Sequence, residues 1–288
     1  MEKFNRKYIL SVGASSLGQK IVFDYNTAPF TIEFDIQRNI LSSANNASIR
    51  IKNLSEVTRD KIRKNRWDYG VFRGVNLRAG YDDNLPTIFD GNITQCWSVR
   101  EGSDFISQIE AFDGGYAFQN SITSMSFPEG TSQDSIIRSL LSNLQPSVTV
   151  GAIGDLPNTK STRATVYSGP TMDILREITG ERCFVDNSKI NVLADTECLE
   201  GSIQVISSQS GLLGTPILEE TYLNFDMIFE PRLQIGQRVR LESLTGAIFN
   251  GFYKVISLKH KGIISPTVSG NAVTSVGLFA PQALQVVA

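Results

Sequence analysis

Strand-length segments in which apolar and polar residues alternate recur along most of this chain of 288 residues. The alternation is clear in Ser48–Lys52, Val75–Tyr81 and Phe105–Phe112, and it returns in Ile203–Ile206 and Arg238–Ser243. A period of two is typical of β-strands with one buried face, because successive side chains point to opposite sides of a sheet. The sequence therefore predicts a mainly β protein and excludes a coiled coil or a collagen-like rod.

Turn and cap residues place boundaries in the first β-rich part. Lys20–Phe34 predicts a half-buried hairpin that turns at Ala28-Pro29. Ser55 can cap a short helix near residues 55–65. Asp90-Gly91 predicts a tight turn, and Gly102 predicts another before the closing strand. Residues 1–112 are therefore expected to form a first, mainly antiparallel β-barrel domain with one short helix.

The period changes in the middle of the chain. Apolar residues at helical spacing follow Ser132 and stop before Pro146, namely Ile136, Ile137, Leu140, Leu141 and Leu144. A second helix is predicted to start at Pro170 and to end before Gly180. Asp186-Asn187-Ser188 predicts a hairpin turn. We expect a small α+β insert over residues 113–200, and a second β-barrel domain over 201–288.

Two segments have the same order of features. Val75–Phe112 and Val239–Phe279 each contain a strand, an Ile-Phe-Asp/Asn-Gly sequence, a further strand, a glycine turn and a closing strand. The turn glycines are Gly102 and Gly262. Chance similarity between β-rich sequences is one explanation. The other is that one chain carries two copies of a small β-barrel, separated by the insert.

Charge argues against a surface built for nucleic-acid phosphates. The chain has 27 Lys plus Arg and 29 Asp plus Glu, for a formal net charge of −2. Charged residues make up only 19% and apolar residues 41%, which excludes a disordered tail. Much of the surface must then be uncharged and polar. Such surfaces are typical of subunits that neighbours cover.

Few side chains offer reactive chemistry. The chain contains 3 cysteines without CxxC spacing, which we interpret as buried thiols: Cys96, Cys183 and Cys198. The single histidine, His260, lies between two lysines, and we interpret it as part of a solvated turn. With one histidine, a metal site or a Ser-His-Asp or Cys-His catalytic group lacks its usual residues. We predict no catalytic, metal or cofactor-binding residue.

A basic run follows Ser55 and ends before Trp67, and its members are Arg59, Lys61, Arg63, Lys64 and Arg66. A solvated helix face explains it, because no aromatic residue is interleaved as in a site for single-stranded nucleic acid. An anionic partner is the alternative.

Two other function classes remain as alternatives. A tail-associated cell-wall hydrolase would need two carboxylates across a glycosidic bond, and the chain has adjacent pairs at Glu219-Glu220 and Asp82-Asp83. Neighbouring strand residues face opposite sides of a sheet, so we interpret these pairs as solvated charge. A glycan- or receptor-binding β module would need exposed aromatic rings, for which the candidates are Trp67, Tyr69, Tyr81 and Trp97. Aromatic residues in alternating strands usually belong to a core.

The first residues are basic, but the apolar stretch at Tyr8–Val12 is shorter than the core of a signal peptide, which spans about 7–15 residues. The sequence has no apolar run near the ~18 residues of a transmembrane helix. We therefore expect neither an export signal nor a membrane anchor.

Three segments resemble the baseplate hub proteins of contractile-tailed phages, a family that includes late-control-type tail proteins and the hub part of type VI secretion spikes. They are Ala44–Ser55, Leu77–Tyr81 with Ile88–Gly91, and Ser210–Pro216 before the strand at 236–243. The resemblance covers nearly the whole chain in element order. Its motifs are turns and strand ends, and no chemical group can verify it.

The resemblance implies two tube-like β-barrel domains per subunit around a threefold axis, in a homotrimeric ring of pseudo-sixfold symmetry. Such a ring joins the tail tube to a trimeric spike and leaves an axial channel for DNA, which passes without specific binding. The expected partners are the tube, spike and other baseplate proteins, in a virion tail assembled in the bacterial cytoplasm. A chain of 288 residues has no room for spike, oligosaccharide-binding or lysozyme portions, so the spike is expected to be a separate chain. The role is structural rather than enzymatic, and no binding residue carries over from the family.

Overall fold

A computed structural model describes most of the chain. The described residues are 4–13, 20–40, 45–68, 73–144, 148–156, 159–180, 182–219, 222–244, 249–280 and 284–287. Pro146, the predicted stop of a helix, lies outside them, as does Ile248 of the apparent repeat.

The strands before the insert are β1 (Arg6–Gly13), β2 (Lys20–Asp24), β3 (Ile32–Asn39), β4 (Asn46–Lys52), β5 (Arg73–Tyr81), β6 (Thr87–Glu101) and β7 (Asp104–Phe112). Those of the insert are β8 (Ile122–Phe127), β9 (Thr149–Ile153), β10 (Thr165–Pro170), β11 (Cys183–Asp186) and β12 (Lys189–Val192). The remainder are β13 (Glu197–Ser207), β14 (Leu212–Glu219), β15 (Tyr222–Ile228), β16 (Gln237–Glu242), β17 (Gly251–Ile264), β18 (Ala272–Phe279) and β19 (Gln285–Val287). The helices are α1 (Glu56–Ile62), α2 (Gly115–Asn120), α3 (Gln133–Asn143) and α4 (Thr171–Thr179).

One 14-stranded sheet contains every strand outside the insert. Its main path runs β14-β15-β18-β17-β3-β4-β7-β6-β5-β1-β2, and β13, β16 and β19 branch from β17. All neighbours on the main path are antiparallel, whereas β13 lies parallel to both β16 and β19. The mainly β fold class is therefore confirmed.

Three hydrophobic cores underlie this sheet and the insert. The first lies among β1 to β7 and includes Tyr8, Ile36 and Phe89. The second lies among β13 to β18, and it also takes Phe184 and Leu193 from the insert. The third belongs to the insert, where the apolar faces of α3 and α4 pack on β11 and β12. Because residues of the insert enter the second core, the insert is anchored on that side of the sheet.

Two groups of strands have the same topology, and their pairings of β4 with β7 and of β15 with β18, and of β6 with β7 and of β17 with β18, have matching registers. In the first strand unit, β3–β7, the hairpin β3-β4 pairs through β4 with β7 of the meander β5-β6-β7. In the second strand unit, β14–β18, the hairpin β14-β15 pairs through β15 with β18 of the meander β16-β17-β18. Each long strand carries one extra residue at the matching place, Thr94 in β6 and Ile256 in β17. A bulge at an equivalent position in both units supports a structural repeat. The two Ile-Phe-Asp/Asn-Gly sequences are not equivalent within it, because Val75 pairs with Gly91 whereas Val239 pairs with Tyr253.

Local signals in the insert are confirmed. The Ser132 hydroxyl accepts a hydrogen bond from the backbone N–H of Ser135 and caps α3. Helix α4 starts after Pro170 and ends at Gly180, which has a left-handed φ of 64°. Asn187 and Ser188 join β11 to β12 with φ values of 53° and 58°. In the first β part, Ser55 likewise caps α1, which ends at Ile62 rather than near residue 65.

The predicted hairpin over Lys20–Phe34 is wrong. Strand β2 pairs with β1, whereas β3 pairs with β4 and β17. The Tyr8 hydroxyl donates to the Phe30 carbonyl at 2.8 Å, and the Phe30 N–H donates to the same hydroxyl oxygen at 3.0 Å. This contact holds the connection as it crosses from one sheet layer to the other, so the alternating strands lie on opposite sides of the first core.

Two predicted turns also lie inside strands, because Asp90-Gly91 is part of β6 and Gly262 is part of β17. In the segment Ser210–Pro216, a turn ends at Gly211 and β14 begins at Leu212. A β-carbon on Gly91 would lie 2.5 Å from the Phe112 carbonyl oxygen, and one on Gly262 would lie 2.6 Å from the β-carbon of Ala272. These glycines therefore allow close backbone approach within the sheet and form no turn.

We predict that Gly91→Ala lowers the free energy of unfolding by about 1–3 kcal/mol, because its methyl group would overlap the backbone of Phe112. The matched control is Gly74→Ala on the adjacent strand β5, where the nearest atom would lie at an ordinary 3.5 Å. Urea unfolding followed by circular dichroism measures both variants. Equal midpoints for the two would contradict the prediction.

Candidate functional site

The most extensive polar feature is one face of the sheet where the two strand units meet. We call it the polar face. Side chains from five strands form one of its rows, in the order Asp226, Ser275, Lys259, Gln37 and Asn46. The next row consists of Ile228, Val273, Lys261, Asp35, Ser48 and Glu110. The register of β17 on β3 thus makes one surface from parts of the chain that are more than 200 residues apart.

Charges on the polar face are paired. The Arg50 guanidinium contacts Glu33 at 3.3 Å and Glu101 at 2.9 Å, and the Lys52 ammonium contacts Glu33 at 3.1 Å. Lys259 contacts Asp35 at 3.4 Å across the β3–β17 pair. These partly exposed pairs contribute little stability individually. Together they leave the face without a strong excess of either sign.

A shallow depression of about 710 Å³ lies on the polar face over β3, β4, β17 and β18. Its lining includes Glu33, Asp35, Arg50, Lys259 and Lys261. Gln108 donates hydrogen bonds at 2.6 Å to Ser48 and to Glu110 beside it. The depression therefore offers hydrogen-bonding groups and balanced charge.

The opposite, buried side of the same joint holds a charged cluster around Arg38. Its guanidinium donates to Asp186 of the insert at 3.3 Å and to the Leu233 carbonyl at 3.1 Å. One of its nitrogens also lies 3.0 Å from Nε2 of His260. Arg38 is buried, so its charge needs these partners.

His260 is part of this cluster, so its predicted place in a solvated turn is wrong. It lies fully buried on β17. A guanidinium can only donate, so Nε2 must be the accepting nitrogen and Nδ1–H donates to the Thr274 hydroxyl at 2.9 Å. Burial, assisted by the Arg38 charge, lowers the pKa of His260 well below its usual 6.5. A neutral ring held between two partners acts as a structural link.

A second buried carboxyl connects the first β part to the insert. Asp113 accepts backbone hydrogen bonds from Asn187 at 2.5 Å and from Ser188 at 2.7 Å. Asn45 donates to Asp113 at 3.4 Å and to the Val185 carbonyl at 2.8 Å. Burial, followed by the nearby Asp186 charge, raises the pKa of Asp113 to about 7, although its hydrogen bonds act in the other direction.

The cysteines are buried, as predicted, and are free thiols. Burial raises the pKa of Cys96 and of Cys183 to about 12, and it raises that of Cys198. Thiols that remain protonated are poor nucleophiles.

The basic run does not form one solvated face. Lys61, Arg63 and Arg66 are exposed, but Lys64 is buried and donates to the Ile93 carbonyl at 2.6 Å. Arg59 lies 4.1 Å over the Phe105 ring. The run therefore includes structural contacts that its spacing did not indicate.

The described residues considered for the alternative functions differ in burial and in their partners. Tyr81 is buried and donates to the Phe229 carbonyl at 2.9 Å, Trp97 is half-buried, and Trp67 is exposed. Asp83 is 95% exposed and contacts Lys7 at 3.5 Å, while Asp82 accepts from Asn5 at 3.0 Å. Glu219 accepts from Asn224 at 3.0 Å. Tyr69 and Glu220 lie outside the described residues.

Within the part of the chain that the structure describes, no group of three or more His, Cys, Asp and Glu residues could hold a metal ion. Nor do these residues include a helix long and apolar enough to cross a membrane. The polar face itself contains no cysteine or histidine, so what it offers chemically is contact and hydrogen bonding.

We predict that Arg38→Ala lowers the free energy of unfolding by about 3–5 kcal/mol, because Asp186 and His260 would lose a buried partner. The matched control is Arg138→Ala on α3, whose exposed pair with Asp134 contributes about 0.3–0.5 kcal/mol. Chemical denaturation of both variants gives the comparison. A loss for Arg38→Ala no larger than that of the control would contradict this role.

We also predict a pH-dependent difference between the unmodified protein and Asp113→Asn. The pKa of Asp113 is about 7 when folded and about 3.9 when unfolded, so the folded state holds its proton more tightly between these values. This contribution to stability is present at low pH and is lost as pH rises through 7. The stability advantage over Asp113→Asn should therefore shrink between pH 4 and pH 7 in thermal unfolding. Parallel stability curves would show that Asp113 does not titrate in this way.

Comparisons with known structures extend over nearly all of the chain. A tail protein from Neisseria meningitidis MC58 superposes with a TM-score of 0.60 at 11% identity, covering 98% of both chains. The 43 kDa tail protein of prophage MuSo2 from Shewanella oneidensis gives a TM-score of 0.61 at 6% identity, covering 98% of this chain and 100% of that one. An Escherichia coli component of the type VI secretion system, described as similar to T4 tail proteins gp27 and gp5, gives 0.59 at 8% identity and covers 94% and 77%. At these identities the likeness concerns the fold.

No curated protein sequence matches the chain. A family model described as "Baseplate hub gp41" matches residues 9–263. This match spans the first strand unit, the insert and the second strand unit as far as residue 263 of β17. The chain therefore belongs to the baseplate hub gp41 family of tail proteins.

Proposed function

We propose that this protein is the structural hub of a contractile phage tail, or of a phage-like tail, and acts as a homotrimeric ring. Its two strand units would place six similar units around the axis in a trimer. The observation that carries the proposal is the shared register of β3–β7 and β14–β18, down to a bulge at the same position. A repeated unit allows three chains to present a nearly sixfold surface.

Pseudo-sixfold symmetry would suit a hub that joins the tail tube to a trimeric spike. The sixfold arrangement of units would face the tube, while the threefold arrangement of chains would face the spike. The partners are then copies of this chain, the tube protein, the spike protein and other baseplate proteins. We propose the division at about residues 112 and 200 as the domain boundaries, with the insert outside the six repeated units.

The polar face is the surface that we propose to line the axial channel. Its charges are paired, as in Arg50 with Glu33 and Lys259 with Asp35. DNA that passes through a channel must not be held, and a strongly basic wall would bind it through many phosphate contacts. Balanced charge with abundant Ser, Asn and Gln side chains fits transient passage.

The role is structural, in a virion tail assembled in the host cytoplasm. His260, the histidine that a catalytic group would need as its general base, is buried, and both of its ring nitrogens are already hydrogen-bonded. Among the candidates for the hydrolase and glycan-binding alternatives, Asp83 pairs with Lys7, Glu219 accepts from Asn224 and Tyr81 is buried.

We predict that the purified protein has three times the 31.7 kDa mass of one chain, or that its complex with the spike partner contains three copies of it. Native mass spectrometry measures the mass, and electron microscopy should show a ring with a central hole. A protein that stays monomeric alone and with tube and spike would contradict the proposal. Peptidoglycan hydrolysis by such a monomer, or specific glycan binding, would favour the corresponding alternative.

A further inference from the structure

The joint between the two strand units indicates how a second copy would bind. Within the chain, Ser257–Ile264 of β17 pairs antiparallel with Ile32–Asn39 of β3. This internal joint pairs β3, the first strand of its hairpin, with the half of β17 that follows the bulge at Ile256, which we call the far half. Its equivalents elsewhere in the chain are the far half of β6, which corresponds to β17, and strand β14, which corresponds to β3.

Neither equivalent is paired with a further strand among the described residues, although helix α1 contacts β6 next to its bridge with Lys64. Strand β14 pairs only with β15 and ends the main path of the sheet. On the side of β6 away from β7, pairing with β5 stops at Ile93, and Lys64 then bridges Cys96. No described strand lies along that side of Trp97–Glu101. Strand edges of this kind readily accept another strand.

Exposed apolar side chains lie on both of these edges. Leu218 of β14 is 58% exposed, whereas Ile36, at the same register position of β3, is 0% exposed. Ile217 is 61% exposed and Val99 of β6 is 40% exposed. Apolar side chains on an open strand edge favour association and usually mark an interface.

We infer that the far half of β6 in one copy pairs antiparallel with β14 of the next copy. The internal register places Val99 opposite Ile217 and Ser98 opposite Leu218, as Lys261 lies opposite Asp35 and His260 opposite Ile36. The irregularity between Leu213 and Ile217 limits the regular ladder on β14 to Ile217–Glu219. The inference rests on the proposed trimer, in which each copy uses one edge as donor and the other as acceptor, so that a closed threefold ring pairs both edges of every copy.

A second copy suits these edges better than an unrelated chain. The two edges differ from each other, and each matches one side of a joint that the chain already makes with itself. Alternating internal and external joints would continue one sheet around the ring. The polar face would then be continuous, with Val99 and Ile217 as an apolar pair at each subunit boundary.

Cysteine cross-linking tests the register. Val99→Cys with Ile217→Cys in one chain should form disulfides between copies on mild oxidation, seen as linked dimers and trimers on non-reducing gels. The native thiols are buried and should not compete. The matched control, Val99→Cys with Leu213→Cys, places the second thiol on the same strand and face but away from Val99. It should link far less.

Charge substitution tests the same contact without new thiols. Val99→Lys or Ile217→Lys should weaken trimer association at least about tenfold, equivalent to ~1.4 kcal/mol. Val99→Lys combined with Ile217→Glu should restore it, because opposite charges would then face each other. Val166→Lys, an equally exposed apolar residue on β10 of the insert, is the control and should leave the trimer intact.

The outcomes separate this inference from the proposed function. A monomeric unmodified protein would overturn the trimer and this interface together. A trimer that neither cross-links at residues 99 and 217 nor weakens with lysine at either position would overturn the interface alone. Cross-linking with rescue by the Lys–Glu pair supports it.

Discussion

The buried guanidinium of Arg38 is the interaction on which the relative position of the main parts depends. It extends from β3 and contacts Asp186 of the insert, the Leu233 carbonyl and His260 of β17. A buried charge is costly without partners, so these groups cannot separate independently. His260 in turn donates to the hydroxyl of Thr274, which also accepts a hydrogen bond from the Glu230 backbone N–H at 2.9 Å. The joint between β3 and β17 is therefore fixed on its buried side by hydrogen bonds and on its exposed side by the pair of Lys259 and Asp35.

The two faces of this sheet differ: one buries apolar side chains and the other carries ion pairs at the surface. On the buried side, Ile32, Ile36 and their neighbours remove apolar surface from water. On the other side, Arg50 pairs with Glu33 and Lys259 pairs with Asp35 at the surface. The family is that of the baseplate hub gp41 proteins. Burial raises the pKa of Cys96 and Cys183 and lowers that of His260, so these groups belong to the packed interior.

The two strand units have nearly the same backbone pairing between their strands, but the elements that pack beside them differ. Strand β17 has β3 on its far edge, whereas the equivalent stretch of β6 has only the bridge from Lys64 among the described residues. The insert adds to this difference, because Phe184 and Leu193 enter the second core and have no counterpart in the first. One topology thus occurs in two environments, which is what a chain needs if it is to supply two unequal edges for assembly.

The amino-acid sequence alone was sufficient to predict features that depend on residues close together in the chain. Ser55, Ser132 and Gly180 mark helix ends through hydrogen bonds or backbone conformations within a few residues, and alternation identified the strands. The mainly β class, the order of the elements and the resemblance to baseplate hubs followed from these signals. The polar face did not, because its rows combine β3 with β17 and alternation tells which side of a strand is buried without naming its neighbour.

Tertiary structure decided the features that depend on distant partners. Gly91 had the sequence of a turn, but the approach of the Phe112 carbonyl makes it part of a long strand. His260 stands between two lysines in the sequence and is nonetheless buried, because adjacent strand residues point to opposite faces and its own face meets Arg38. Short-range chemistry determines where a strand begins and ends. Which strand lies beside it depends on burial and on pairs of charges that meet only when the whole chain has folded.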